Sequence, residues 1–259
     1  MAHDFFVPAT SGGEKPSPPF PKTSLTEYFY QQSNQSFTFY GEPYPEVIVT
    51  KFDESHYKIR AVDSQSLNGM AELTKEVLDY IDAQGFEFDK YDANHDGYVD
   101  HIFIIPRKFV NRPDWSGFSV LGNSSLAPLS YDSTSVDWNL SGSYNRYGDS
   151  QNIIPLLRLG RLMAHEFGHD IWGAGHLNSI FSNDVPSNGT LRLGYTLMAD
   201  GNNDMAGAAT ISAFERDLIG WIDCVPLEHD ESYVQLDHIY SSGDCRTIAL
   251  GNGSSGRTI

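Results

Sequence analysis

The spacing of apolar and polar residues changes several times along the chain, and each change predicts an element. Ser24 precedes Leu25-Thr26-Glu27-Tyr28-Phe29-Tyr30, which reads as a short capped helix. Alternation or β-branched content predicts strands over residues 37–40, 47–49 and 57–62. Met70, Leu73, Val77, Leu78 and Ile81 then recur at helical spacing and predict a helix with one core-facing side. An acidic, glycine-bearing loop over residues 92–100 leads into the apolar run Ile102, Phe103, Ile104 and Ile105, read as a strand. Residues 112–151 are rich in Ser, Asn, Gly and Tyr and read as irregular. Leu156, Leu157, Leu159, Leu162 and Met163 mark a further helix from about residue 153 to 171, and another is predicted at about 211–218. The tail from Cys224 onward reads as β-rich. Residues 8–21, with Pro8, Gly12, Gly13, Pro16, Pro18, Pro19 and Pro21, read as an extended lead-in.

Composition narrows the class. A chain of 259 residues that is 40% apolar can bury a sizeable core, in one large domain or two small ones. The longest unbroken aliphatic or aromatic run is residues 102–105, far short of a membrane span, so no membrane insertion is expected. A formal net charge of -17 repels phosphate backbones and anionic lipid, which argues against nucleic acid as a partner. Most of that acidity reads as a solvated surface. The two cysteines, Cys224 and Cys245, form no CxxC, so they are not assigned to a metal. They read as a disulfide or as two buried thiols. The first residues, Met1-Ala2-His3-Asp4, carry no signal-peptide pattern.

The segment with the most chemical content is Ala164-His165-Glu166-Phe167-Gly168-His169, followed by Gly173, Gly175 and His176. Residues four apart lie on one helix face, so His165 and His169 can aim two imidazoles at one point. Zinc takes nitrogen ligands in tetrahedral geometry, and a catalytic site uses three protein ligands and one open position. Glu166 is rotated by about 100° from His165, off the ligand face but beside a water in that open position, where a general base belongs. Gly173 and Gly175 end the helix and let the chain turn, and His176 follows as the expected third ligand. HExxH alone is moderately specific; the preceding apolar residues and the glycine turn strengthen it.

Asp92, Asn94 and Asp96 followed by Gly97 match the start of a calcium loop, with the Tyr98 carbonyl and Asp100 as further oxygen ligands. Phe103 stands where an EF-hand carries its bidentate Glu, so a standard EF-hand is excluded. The competing reading is a solvated turn that uses Asp, Asn and Gly for backbone reasons.

These motifs in this order resemble the immune inhibitor A-like peptidases, a secreted metallopeptidase family related to the metzincins. The likeness runs from about Ser24 to Trp221. It rests on Ser24-Leu25-Thr26-Glu27-Tyr28-Phe29-Tyr30-Gln31-Gln32-Ser33 as an early helix, on the acidic loop and strand from Tyr91 to Ile105, on His165-Glu166-Phe167-Gly168-His169, on Thr196-Leu197-Met198-Ala199-Asp200-Gly201 as a methionine turn, and on Ser212-Ala213-Phe214-Glu215-Arg216-Asp217-Leu218-Ile219-Gly220-Trp221 as a closing helix. The metzincin pattern HExxHxxGxxH is not kept. Trp172 takes its glycine position and Gly173 comes one residue later. Gly175 stands where a third ligand is expected, and His176 is one later. No tyrosine lies two residues after Met198; Tyr195 is nearby.

The resemblance implies an α/β (α+β) fold of the zincin or metzincin kind, two-lobed, with a mixed sheet, an active-site helix and a methionine turn. Met198 would form an apolar floor beneath the zinc. The implied organisation is a lead-in over 1–22, a catalytic domain over 23–222, and the start of a truncated β-rich segment over 223–259. The implied activity is zinc-dependent endopeptidase action on a protein or peptide substrate outside the cell, with Zn2+ as cofactor and Ca2+ in the acidic loop. Two alternatives stand beside it. One is a non-catalytic metal-binding recognition domain of the same fold, which would have no use for Glu166. The other is a different zinc hydrolase such as an amidase.

Overall fold

The structure, a computed structural model, describes residues 24–53, 56–57, 68–105, 117–120, 129–136, 140–143, 156–172, 196–198, 210–227 and 233–247. The chain divides into two compact units: Met1–Pro43 with Leu177–Ile259, and Tyr44–His176. The stretch read as one catalytic domain over 23–222 is therefore shared between both units, and the tail from 223 belongs with the N-terminal helix. Among the described residues no helix is long and apolar enough to cross a membrane.

In the first unit, helix α1 (Leu25–Gln32) starts where the Ser24 side chain accepts a hydrogen bond from the Glu27 N–H. It buries Leu25, Tyr28 and Phe29. Phe29 meets Phe37 and Phe39 edge-on, and Phe37 stacks on Trp221 at 5.5 Å. Residues 37–40 were expected as a strand. Their burial alternates as in a strand, but they are not one: Phe37 and Phe39 pack into an aromatic cluster instead.

The rest of this unit is built from short pieces. Helix α4 (Ala213–Leu218) has a reciprocal capping box between Ser212 and Glu215, which leaves Ile211 outside the helix. Strands β6 (Val225–Pro226) and β7 (Arg246–Thr247) pair in parallel, with helix α5 (Ile239–Ser242) between them. Cys224 and Cys245 form a disulfide at the start of that pairing. The described tail is thus less β-rich than its composition suggests; a covalent closure and a two-residue ladder hold it.

The second unit contains helix α2 (Asn68–Asp82), a 3-10 turn (Phe88–Tyr91), strands β1 (Ile102–Ile104), β2 (Gly117–Val120), β3 (Leu129–Tyr131), β4 (Thr134–Val136) and β5 (Leu140–Ser143), and helix α3 (Leu156–Trp172). Leu78 and Ile81 of α2, with Phe88, Val99, Tyr131 and Val136, form its core cluster. Tyr131 stacks on Phe88 and donates to Asp79 at 2.8 Å; burial and that carboxylate push its phenol above the usual range. β1 pairs with β5 in parallel and β2 with β5 antiparallel, giving a mixed sheet in the order β1-β5-β2. α3 packs on β5 and β2.

Four of these strands lie in the segment read as irregular. They are short and carry Ser, Gly and Thr at many positions, so backbone pairing rather than hydrophobic alternation defines them. β3 and β4 are joined through Asp132 (φ 50°) and Ser133 (φ 70°), two successive left-handed residues, as a tight hairpin turn requires. Residues 47–49, expected as a strand, are not one: Val47 and Val49 are exposed and Pro43 and Pro45 precede them, removing ladder donors. Residues 58–62 of the third expected strand, and 153–155 of the expected motif helix, lie outside the described residues.

Candidate metal centre

The motif helix is unusual in where its polar residues sit. Residues 163–168 are all buried, which covers more than a full turn, so this part of α3 is enclosed rather than presenting one stripe. His165 and Glu166 fall inside that stretch, at 7% and 4% exposure. A glutamate is almost never buried unless something compensates it, because removing an ionised carboxylate from water is costly.

The two imidazoles lie close together. The ring centroids of His165 and His169 are 5.0 Å apart with planes at 87°. Two imidazoles bound through one nitrogen each to a tetrahedral zinc, at about 2.0–2.1 Å, carry their centroids about 5 Å apart. His169 is half-buried, one turn nearer the helix end.

Glu166 supplies the electrostatic half of the fit. Its burial, and then the charge of Asp170 one turn along the helix, push its carboxyl well above the usual carboxylate range. A divalent cation beside it opposes both effects and favours the ionised form that a base must have. The donor set and the strained carboxyl therefore suit zinc.

The third ligand candidate, His176, lies outside the described residues, as do Gly173, Gly175 and Tyr195. Among the described residues no group of three or more His, Cys, Asp or Glu is gathered about one point; His165 and His169 make a pair. Met198 is described and belongs to the other unit. It is buried, and its N–H donates to Glu215 Oε1 at 3.2 Å.

The acidic loop behaves differently. Asp92 accepts from the N–H groups of Asp96 and Gly97 at 3.0 and 2.8 Å, and Asp96 from that of Tyr98 at 2.9 Å. Asn94 accepts from Asp96 N–H at 3.0 Å, and Asp100 from Ala93 N–H at 2.9 Å. His95 and Gly97 are left-handed, at φ 59° and 87°. Val99 anchors the loop in the core, and backbone bonds to Ser135 tie it to the β3–β4 hairpin. The oxygens are of the kind calcium prefers, but here they serve the turn's own backbone and three carboxylates do not converge. No chemistry is assigned to a cation in this loop. Its test is thermal: if calcium adds to these residues, melting temperature rises on adding calcium to zinc-loaded protein, by mass action on the native state. An unchanged melting temperature leaves the turn as its full explanation.

Two buried contacts escape sequence reading. The first is Glu215, the buried acceptor for the Thr196 hydroxyl and for the N–H groups of Met198 and Ser212. Its capping-box spacing after Ser212 is a readable signal, but the link to Met198 is not. The second is His101, whose Nδ1 lies against Asp170 Oδ2. No spacing rule connects positions so far apart. No family model, no curated protein and no solved structure matches this chain.

Proposed function

We propose that this chain is a zinc-dependent endopeptidase in which Glu166 is the general base. The observation that carries the reading is the enclosed helix with two imidazoles at a spacing that suits one tetrahedral metal and a buried glutamate beside them. His165 and His169 would hold the ion, with His176 as the third ligand. When bound, zinc supplies Lewis acidity toward a water and toward the carbonyl oxygen of the scissile bond.

The chain's own residues account for the proton. Glu166 accepts it from the attacking water at a carboxylate oxygen and passes it to the leaving amine nitrogen, so one group serves both halves of the cycle. Enclosure of the helix around Glu166 excludes bulk water, which strengthens each charge interaction there. A structural metal site or a recognition domain makes no use of this carboxylate. The Cys224–Cys245 disulfide supports the extracellular setting, since such bonds persist in oxidising compartments.

The test is metal content read together with cleavage of an unstructured protein. Wild type is expected to bind one zinc and to lose activity on chelation. His165→Ala and His169→Ala are each expected to lose the metal and the activity together. Wild type that binds no zinc, or binds it and cleaves nothing, would sink the reading. His176→Ala with full zinc occupancy would remove only the third-ligand assignment and point to an acidic ligand in its place.

A further inference from the structure

We propose that His101 is a positioning residue for Glu166, acting through Asp170 on the helix that carries the two metal-binding histidines. Its catalytic consequence rests on the peptidase reading above; the linkage among the three residues rests on packing alone.

Asp170 lies four residues beyond Glu166, one turn along on the same face of α3. Two carboxylates placed so repel one another, and the face they share is largely withdrawn from water. The chain answers this from a different element. His101, the residue before β1, brings Nδ1 against Asp170 Oδ2, with 3% of its side chain and 10% of that of Asp170 exposed. The two atoms are in close contact without the alignment of a hydrogen bond, and Nε2 is buried with no hydrogen-bond partner among the described residues.

The ring is also keyed sterically. It meets Phe103 at 4.4 Å and Phe167 at 4.8 Å between centroids, edge-on in both cases. Phe167 and Asp170 are three apart on α3, so His101 grips the helix at two neighbouring points of one face. Glu166 immediately precedes the first point and His169 the second. β1 is fixed through its pairing with β5, on which α3 packs. His101 therefore holds both the rotation and the slide of the motif segment against the sheet. When protonated, it also offsets part of the repulsion between Asp170 and Glu166.

Core packing alone would make any ring of similar size an adequate replacement. His101→Phe keeps volume between the two phenylalanines and removes both nitrogens; His101→Gln keeps a nitrogen donor. In metal-free protein, the change in melting temperature on Glu166→Gln is expected to be more favourable by about 2–4 °C in the His101→Phe background than in wild type, because one of the groups that engage Asp170 is gone. Equal changes in the two backgrounds would overturn the proposal.

In zinc-loaded protein, His101→Phe is expected to keep its zinc and its KM and to lose about tenfold to a hundredfold in kcat, as misplacement of a catalytic group does. His101→Gln is expected to recover most of that loss. Wild-type kcat in His101→Phe, or a Gln variant no better than Phe, would refute the role of the nitrogen contact. A wild type without zinc-dependent cleavage would sink the peptidase reading instead, and the coupling in metal-free protein would then decide the linkage. Should His101→Phe fail to fold, the same cycle with His101→Gln and Asp170→Asn decides it: additive melting changes would overturn it.

Discussion

Glu166→Gln should keep zinc and the native fold and lose most turnover. Gln matches Glu in size and hydrogen-bonding reach, and Glu166 stands off the face that presents His165 and His169, so no coordinating group is removed. What disappears is a carboxylate able to accept a proton. General base catalysis contributes about 10²–10⁴-fold, and the loss in kcat should fall in that range. Stability of the metal-free protein should not fall. The native carboxyl is enclosed, and its ionised form is disfavoured first by burial and then by the Asp170 charge. A neutral amide has no such conflict. The measurement is kcat and KM on an unstructured protein, together with zinc stoichiometry. A Gln variant that loses its zinc would make Glu166 a ligand. One that keeps both zinc and near-normal proteolysis would move the base to Asp170 or Asp200.

The second large effect is expected in the other unit. Glu215→Ala should destabilise the protein by on the order of 4 kcal/mol. Three buried or half-buried donors converge on this carboxylate: the Thr196 hydroxyl at 2.6 Å, Met198 N–H at 3.2 Å and Ser212 N–H at 2.6 Å. Each donor left unsatisfied costs about 1–3 kcal/mol. α4 is only six residues long, too short to persist without tertiary anchoring, and the carboxylate half of its capping box is lost while the Ser212 hydroxyl cap remains. The next residue, Arg216, is fully buried. It donates to Gln32 Oε1 at 2.7 Å and to the Ile211 carbonyl at 3.0 Å, and lies over the Tyr240 ring. Loosening α4 therefore exposes this network as well. Against a usual total of about 5–15 kcal/mol, thermal unfolding should show a large drop in melting temperature. A drop of less than about 1 kcal/mol equivalent would mean that water takes over these donors and that Glu215 is not the pin of the Met198 turn.

The pattern of residues was most informative where an element carries its own signal. Met70, Leu73, Val77, Leu78 and Ile81 predict α2 because a helix is closed by local hydrogen bonds, and its buried face recurs within a few residues. Ser24 marks a helix start for the same reason: the hydroxyl bonds an N–H three residues away. His165, Glu166 and His169 are legible as a group because one helical turn alone brings the two imidazoles together. The β elements were poorly legible. Residues 47–49 have strand-like side chains but find no ladder, whereas Leu140–Ser143, with two serines and a glycine, becomes the central strand of the mixed sheet. A strand is stabilised by a partner that can lie anywhere in the chain, so local composition carries little of the decision.

The same distinction separates the two halves of the candidate site. Sequence by itself determined the helix and the placing of His165, Glu166 and His169 on it, since all three lie within about one turn of each other. Tertiary structure alone decided that this turn is enclosed, which makes Glu166 a buried carboxylate. It alone brought His101 to Asp170 across 69 positions, and Gln32 to Arg216 across 184. Those contacts depend on chain closure over long distances, whose entropic cost is met only by the packing of the whole unit, and no local pattern records them.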